Sequence, residues 1–122
     1  MKGENKIASL NMQGSYDLNN EEIDTQVTRT SPGNYALGRV SDGTFYLSYV
    51  GRSDTDLNNR LKDWIGKYKK FMYSYATSAK AAFEKECKNY HDFGESEKLN
   101  NKNHPQRPDG INWKCPVCDI FD

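Results

Sequence analysis

Two pairs of metal-ligating side chains constrain the fold of this 122-residue chain more than any other feature. Cys87 and His91 are four residues apart, so on a helix their side chains project from the same face. Cys115 and Cys118 have the two-residue spacing with which a knuckle presents two thiolates to one ion. A shared ion would hold the end of the chain against the helix. The sequence therefore predicts a zinc site made by Cys87, His91, Cys115 and Cys118.

The fourth ligand has a second candidate, since His104 lies in the loop that must return the chain to the helix. Three cysteines with one histidine form a closed tetrahedral set, which leaves no coordination position for a substrate. We therefore assign the expected zinc ion to folding. The alternative interpretation is two free thiols and a buried Cys87.

The composition explains why a small chain of this kind would need such an ion. Leu, Ile, Val and Phe occupy 21 of 122 positions, whereas Tyr and Trp add ten large rings. The net charge is zero, which together with these rings favours a small aromatic-rich globule over a disordered chain. A bound metal would add stability that so small a core lacks.

Hydropathy bears on where the chain resides. No apolar stretch reaches the roughly 20 residues that a bilayer span needs, and the N-terminus lacks the apolar run of a secretion signal. We expect a cytoplasmic protein without a membrane partner, where three cysteines suit a metal better than disulfides. Its oligomeric state has no signature in the sequence.

Local patterns predict an antiparallel sheet of three strands. Residues 34–40 and 44–50 are β-prone runs joined by a short turn with glycine, which is typical of a hairpin. Residues 71–76 alternate large rings with smaller groups and form the third predicted strand. Tyr35 and Tyr49 are expected on the same side of the sheet.

Two amphipathic helices complete the predicted order β, β, α, β, α. The first is expected to start from an N-cap at Asp54 or Thr55 and to break near Gly66. The second is expected to start from a cap at residue 77 or 78 and to end near residue 92.

The N-terminal residues have a different composition from the rest. Residues 1–31 are polar and rich in asparagine, and their isolated apolar residues show no sustained period. We predict an irregular arm with one short element near residues 18–27. The domain itself then comprises residues 32–122.

The charges are unevenly distributed along the chain. Residues 52–80 carry seven bases and three acids, and five aromatic residues are interleaved with them. This pattern suits a polyanion such as nucleic acid. The alternative is a solvated face of a neutral protein.

Glu86 interrupts the apolar stripe of the second predicted helix, three residues after Phe83 and four before Tyr90. A buried carboxylate needs a cation, a hydrogen-bonding partner or water in a cleft, because leaving its charge unpaired is costly. Two interpretations stay open. Glu86 is either an acid that faces a functional cleft or an ordinary acid paired with a Lys or Arg at the rim of the core.

The motifs Gly33-Asn34-Tyr35 and Tyr49-Val50-Gly51, followed by Arg60 and Glu86, resemble those of the GIY-YIG nuclease superfamily. The resemblance covers residues 33 to about 103 and rests on the order and spacing of the motifs. It implies an α+β fold, with a small three-stranded antiparallel sheet flanked by helices, to which this chain adds a C-terminal zinc knuckle.

The resemblance also implies a catalytic set: Tyr35, Tyr49, Arg60, Glu86 and an asparagine after the second helix, for which Asn101 is the first choice and Asn103 the second. Glu86 would hold Mg²⁺ or Mn²⁺, Arg60 would contact the phosphate, and a tyrosine would orient or deprotonate the attacking water. The implied activity is metal-dependent hydrolysis of phosphodiester bonds in DNA.

Two positions depart from the family pattern. Asn34 stands where an apolar residue is usual, which we interpret as a surface adaptation, and Trp64 stands where many members have a histidine. The loss of that imidazole removes a candidate for proton transfer. Two other functions stay open: a nucleic-acid-binding module that does not cleave, and a zinc-stabilised interaction domain that docks on a protein through residues 115–122.

Overall fold

The fold is built on one antiparallel sheet, which a computed structural model describes together with its helices over residues 9–122. Within these residues the strands are β1 Gln13–Asp17, β2 Gly33–Ser41, β3 Thr44–Ser53 and β4 Lys70–Tyr75. Their order across the sheet is β1-β4-β2-β3, so β3 is an edge strand. The helices are α1 Asn20–Gln26, α2 Leu57–Lys62, α3 Ala79–Asp92 and α4 Glu95–Lys98.

The sheet therefore has four strands in the described part of the chain and not the three predicted, because the N-terminal segment supplies β1. β1 pairs with β4, with Gln13 opposite Tyr73. The prediction of an irregular arm is wrong for β1, which joins the sheet, whereas α1 matches the short element predicted near residues 18–27 and buries Ile23 completely. Residues 1–8 of the predicted arm lie outside the described residues.

The predicted hairpin is present. β2 and β3 pair from Gly33 opposite Ser53 to Ser41 opposite Thr44, with one register shift after Leu37. Its two-residue turn has left-handed backbone angles at both positions, 52° at residue 42 and 76° at residue 43. Such a turn matches the twist of the strands and favours glycine at its second position.

The helix boundaries follow from their caps. Ser78 caps α3 by accepting a hydrogen bond from the N–H of Ala81 at 3.0 Å, which is one of the two predicted caps. α2 is capped by Asp56 and not by either predicted residue. The reason is that the Ser53 hydroxyl accepts the N–H groups of Thr55 and Asp56, which delays the first helical turn.

The sheet separates two cores. One face packs against α1 and α2, and its buried side chains include Ile23, Tyr35, Leu37, Leu61 and Phe71. The opposite face packs against α3 and the C-terminal segment, with these buried side chains: Val50, Phe83, Cys87, Tyr90, Leu99 and Cys115. Within residues 9–122, no helix combines the length and the apolar character that crossing a membrane requires.

The buried side chain of Ile23 allows a direct test of how α1 packs. Ile23→Ala is expected to lower the free energy of unfolding by about 2–5 kcal/mol, because it removes a completely buried side chain. The control Glu21→Gln changes an exposed side chain of the same helix and should alter stability by less than about 0.5 kcal/mol. Urea denaturation measures both. Equal stability of the two variants would contradict the packing of α1 on the sheet.

Candidate functional site

An open cleft of about 420 Å³ lies at the end of edge strand β3. We call it the candidate cleft. Its walls include four of the predicted catalytic residues: Tyr35 from β2, Tyr49 from β3, Arg60 from α2 and Glu86 from α3. The structure thus brings together side chains from four elements that are far apart in the sequence.

The two tyrosines stack, with ring centroids 6.4 Å apart and planes inclined by 20°. Trp64, in the turn after α2, donates from its indole nitrogen to the Tyr35 hydroxyl at 2.8 Å. Burial raises the pKa of Tyr35 and also that of Tyr49. Both phenols therefore stay protonated near neutral pH, so they are suited to orient a group and not to deprotonate water.

The two motif positions Gly33 and Gly51 require glycine, because neighbouring atoms lie too close for a side chain. A Cβ atom on Gly51 would overlap the Tyr35 ring. A Cβ atom on Gly33 would lie 2.5 Å from the carbonyl oxygen of Ser74 in β4 and 2.7 Å from a Leu57 methyl group. The glycines therefore let Tyr35 and α2 pack against the strands.

Asn34 is completely buried, and the interpretation of a surface adaptation is wrong. Its amide nitrogen donates to the carbonyl oxygen of Ala82 in α3 at 2.9 Å. An apolar side chain at this position could not make that bond. The position faces the helix because its neighbour Tyr35 occupies the opposite face of the sheet.

Glu86 is 8% exposed and forms an ion pair with Arg52, with 2.6 Å between Oε1 and Nη1. Arg52 also donates to Asp54 at 2.7 Å and to the carbonyl oxygen of Gln106 at 2.8 Å. Burial raises the pKa of the Glu86 carboxyl, although the guanidinium acts in the opposite direction. The acid thus has the arginine partner that one of its two interpretations required.

Arg52 was not identified as a site residue from the sequence. The available signal was its place directly after the Tyr49-Val50-Gly51 motif, where strand alternation turns it to the face opposite Tyr49 and Gly51. Arg60 differs from it, since 51% of its side chain is exposed and its contact with Asp63 is a long 3.9 Å. Arg60 is therefore the arginine that can meet an anion in the cleft.

Asn101 is engaged with the backbone of the edge strand. Its Oδ1 accepts the N–H of Val50 at 3.0 Å, and its Nδ2 donates to the Val50 carbonyl oxygen at 2.7 Å. The side chain is thus used to cover the unpaired edge of β3. Asn103, the second choice, is exposed beside the cleft and is better placed to contact a phosphate.

A cluster of two histidines and two cysteines lies next to the cleft, and it could bind a metal such as zinc. The ligand atoms of His91, His104, Cys115 and Cys118 all lie within 4.8 Å of one another. Both candidate histidines belong to the cluster, whereas the predicted Cys87 does not. Helical periodicity places Cys87 and His91 on one face but does not tell how far along the helix the knuckle docks.

Cys87 packs instead with Phe83 and Cys115 in the core, and burial raises the pKa of its thiol. Burial also acts to raise the pKa of Cys115. Hydrogen bonds from the N–H groups of Val117 and Cys118 and a contact with His104 outweigh it and lower that pKa to about 6. Near neutral pH, Cys87 is therefore a protonated thiol, whereas Cys115 is largely a thiolate.

The Nδ1 atom of each histidine contacts an oxygen acceptor, as is usual for histidines that bind a metal through Nε2. His91 Nδ1 lies 2.6 Å from a carboxylate oxygen of Glu95, and His104 Nδ1 lies 2.9 Å from the carbonyl oxygen of Pro105. Such outer contacts fix the ring and direct Nε2 towards an ion. Nε2 of His91 is buried and has no hydrogen-bond partner among the described residues. That orphaned atom fits a metal ligand.

The cluster and the candidate cleft share one short segment of chain. His104 belongs to the cluster, Pro105 is buried, and Gln106 accepts the hydrogen bond from Arg52. A metal bound by His104 would therefore also fix the acceptor that holds Arg52.

Similarity to known proteins does not extend this description. Comparison of the chain with protein-family models, with curated proteins and with solved structures gives no match. The likeness to the GIY-YIG superfamily accordingly stays a prediction, which rests on the motifs quoted above.

The cluster predicts which cysteines a bound metal needs. Protein saturated with zinc should retain about one ion per chain after dialysis, and Cys115→Ser should lose it because a ligand is missing. Cys87→Ala is the matched control, since it changes a buried cysteine outside the cluster and should keep the ion. Elemental analysis measures the content. Loss of zinc from folded Cys87→Ala would favour the Cys₃His set instead.

Gly51→Ala tests the close approach of Tyr35. The added methyl group overlaps the ring, so we expect the free energy of unfolding to fall by about 1–3 kcal/mol. Gly110→Asn is the control: its Cβ meets nothing within 4 Å, and asparagine tolerates its φ of 78°. Unfolding in urea compares the two, and an unchanged stability of Gly51→Ala would contradict the packing described.

Proposed function

We propose that this protein is a metal-dependent endonuclease that hydrolyses phosphodiester bonds in DNA. The observation that carries the proposal is that Tyr35, Tyr49, Arg60 and Glu86 line one cleft. These are the residues to which the motif resemblance assigns catalytic roles. Aromatic packing alone accounts for the tyrosines, and Arg52 pairs with the acid, but neither contact accounts for the exposed Arg60 that lines the same cleft.

The charge around the cleft suits a nucleic acid. Arg60 lines the cleft and is exposed, and Lys67 and Lys102 are also exposed. Trp64 and Lys102 line a second opening beside the cleft, and the Lys67 ammonium lies 5.7 Å from the centroid of the Trp64 ring. Exposed cations attract a phosphate backbone, whose bound counterions are released when the protein binds. We infer that DNA is bound across the end of β3, with a phosphate beside Arg60.

The chain's own groups then orient the reacting phosphate. Arg60 offers the forked donors of a planar guanidinium to the phosphate oxygens. The Tyr35 oxygen accepts a hydrogen bond from Trp64, which leaves its own proton to donate towards the cleft. Tyr49, stacked beside it, supplies a second neutral hydroxyl. In this arrangement Trp64 supports the tyrosine instead of taking part in proton transfer.

A divalent ion fits the acids of the cleft. Glu86 uses Oε1 for Arg52, and its second oxygen accepts no hydrogen bond from the residues that the structure describes. Asp54 binds the same guanidinium and lines the same cleft. We propose that Glu86, with Asp54 beside it, holds Mg²⁺ or Mn²⁺. Such an ion offsets charge on a phosphate and lowers the pKa of a bound water.

We assign the adjacent cluster of His91, His104, Cys115 and Cys118 to a structural zinc ion. Four protein ligands make a closed tetrahedral set without an open position, which is the arrangement of structural sites. The proposed zinc therefore stabilises the segment that follows α4 and takes no part in hydrolysis.

A second function, DNA binding without cleavage, is favoured by one specific observation. The pair between Arg52 and Glu86 satisfies the buried carboxylate by itself, so its burial does not require a metal ion. In that case Arg60 and the surrounding lysines would bind phosphate and the acid would serve the fold. The assay below separates the two functions.

Incubation of zinc-loaded protein with supercoiled plasmid and Mg²⁺ tests the nuclease proposal. We expect nicking, and Arg60→Ala should slow it by about 10²–10³-fold, because a donor to the developing charge is lost. Glu86→Gln, close in shape to the native residue, should abolish the Mg²⁺-dependent nicking. The control Arg39→Ala removes an exposed arginine that lies over Tyr46, outside the cleft, and should leave the rate unchanged.

Two results would overturn the proposal. One is cleavage that Arg60→Ala and Glu86→Gln leave intact, since the active site would then lie elsewhere. The other is the absence of cleavage of DNA and RNA in every form by folded protein with Mg²⁺ or Mn²⁺. Salt-sensitive binding in that second case would establish the binding module instead.

A further inference from the structure

A second pocket, also of about 420 Å³, opens beside the candidate cleft. Tyr49, Glu86 and Gln106 line both openings, so the two are adjacent. Its distinctive feature is a wall of three aromatic side chains: Tyr49, Trp64 and Tyr68. We call this opening the aromatic pocket.

The three rings form a compact group at the margin of the core. The ring centroids of Tyr49 and Trp64 are 4.6 Å apart, and those of Trp64 and Tyr68 are 5.9 Å apart. Each ring packs against the core but is only partly buried, unlike the completely buried Phe71. The wall therefore presents the faces of aromatic rings to the pocket. The stability of the core does not require these rings to be exposed there.

The opposite wall is polar and carries positive charge. Residues 100–104 contribute amides, a lysine and His104, and the amide nitrogen of Asn100 donates to the Tyr68 hydroxyl at 3.1 Å. Lys102 lines the polar side, and Lys67, which does not line the pocket itself, holds its ammonium 5.7 Å from the centroid of the Trp64 ring. Amides can pair with the edge of a nucleobase while aromatic rings stack on its face.

We propose that the aromatic pocket receives an unpaired base of DNA while Arg60 contacts a phosphate of the same strand in the adjacent cleft. This inference deepens the proposed nuclease function and rests on it. It names the substrate class as single-stranded DNA, or duplex DNA with unpaired nucleotides at the point of cleavage. A base inside a duplex exposes only its edges, so it cannot stack on this wall without leaving the helix.

Tyr68 is the informative position, because Trp64 also supports Tyr35 and Tyr49 belongs to the proposed active site. Zinc-loaded protein without Mg²⁺ should bind a single-stranded oligothymidylate more tightly than a duplex of the same length. Tyr68→Leu should weaken the single-strand complex by about 5- to 150-fold, whereas Tyr68→Phe, which keeps the ring, should not. Fluorescence anisotropy of labelled DNA measures the affinities.

Two controls separate stacking from a general loss of binding. Tyr46→Leu changes a tyrosine that is 46% exposed outside both openings, and it should leave single-strand affinity unchanged. In a Trp113→Phe background, Trp64 is the remaining tryptophan, and its fluorescence should be quenched by single-stranded DNA and not by the duplex. Tighter binding of RNA than of DNA would overturn the assignment to DNA.

The outcomes distinguish this inference from the nuclease proposal. Equal affinity for single strand and duplex, or an unchanged affinity of folded Tyr68→Leu, would overturn the stacking pocket. If gapped and fully paired duplexes are then cut at the same rate, the nuclease proposal survives alone. If single strands bind through Tyr68 and no DNA is cut, the stacking pocket survives and the nuclease proposal fails.

Discussion

The ion pair between Arg52 and Glu86 is the contact on which the rest of the site depends. It joins edge strand β3 to helix α3, and the same guanidinium reaches the carbonyl oxygen of Gln106 in the C-terminal segment. Both charged side chains are only 11% exposed, so removing Arg52 would leave the Glu86 carboxylate buried without a partner among the described residues. This pair therefore fixes the geometry of the candidate cleft whether or not a metal ion is bound there.

The segment after α4 has little regular structure, yet three different contacts hold it in place. Asn101 pairs with the edge of β3, His104 joins the metal-binding cluster, and Gln106 accepts from Arg52. This segment separates the cleft from the cluster and contributes to both. A chain with few aliphatic residues thus uses polar contacts and ligand chemistry where a larger protein would bury more apolar surface.

Local features were predictable because they depend on residues close in sequence. The hairpin, the Ser78 cap and the extent of α3 follow from turn chemistry, capping and helical period. The motif order also predicted four of the residues that line the cleft, but not Arg52 or Asp54. The role of Asn34 was not predictable, because its face of the sheet is defined by α3. Strand β1 was missed because its five residues have no clear alternation and gain stability only by pairing with β4.

By itself, the sequence determined most of the local elements and the chemistry available to the site: two phenols, an arginine, an acid and a set of thiols and imidazoles. Only the tertiary structure decided which groups are partners. In the structure, Glu86 pairs with Arg52, 34 residues away, and Asn101 pairs with Val50, 51 residues away. The metal-binding cluster contains His104 and not Cys87. Such contacts depend on where whole elements dock, and this docking leaves no periodic trace in the residues themselves.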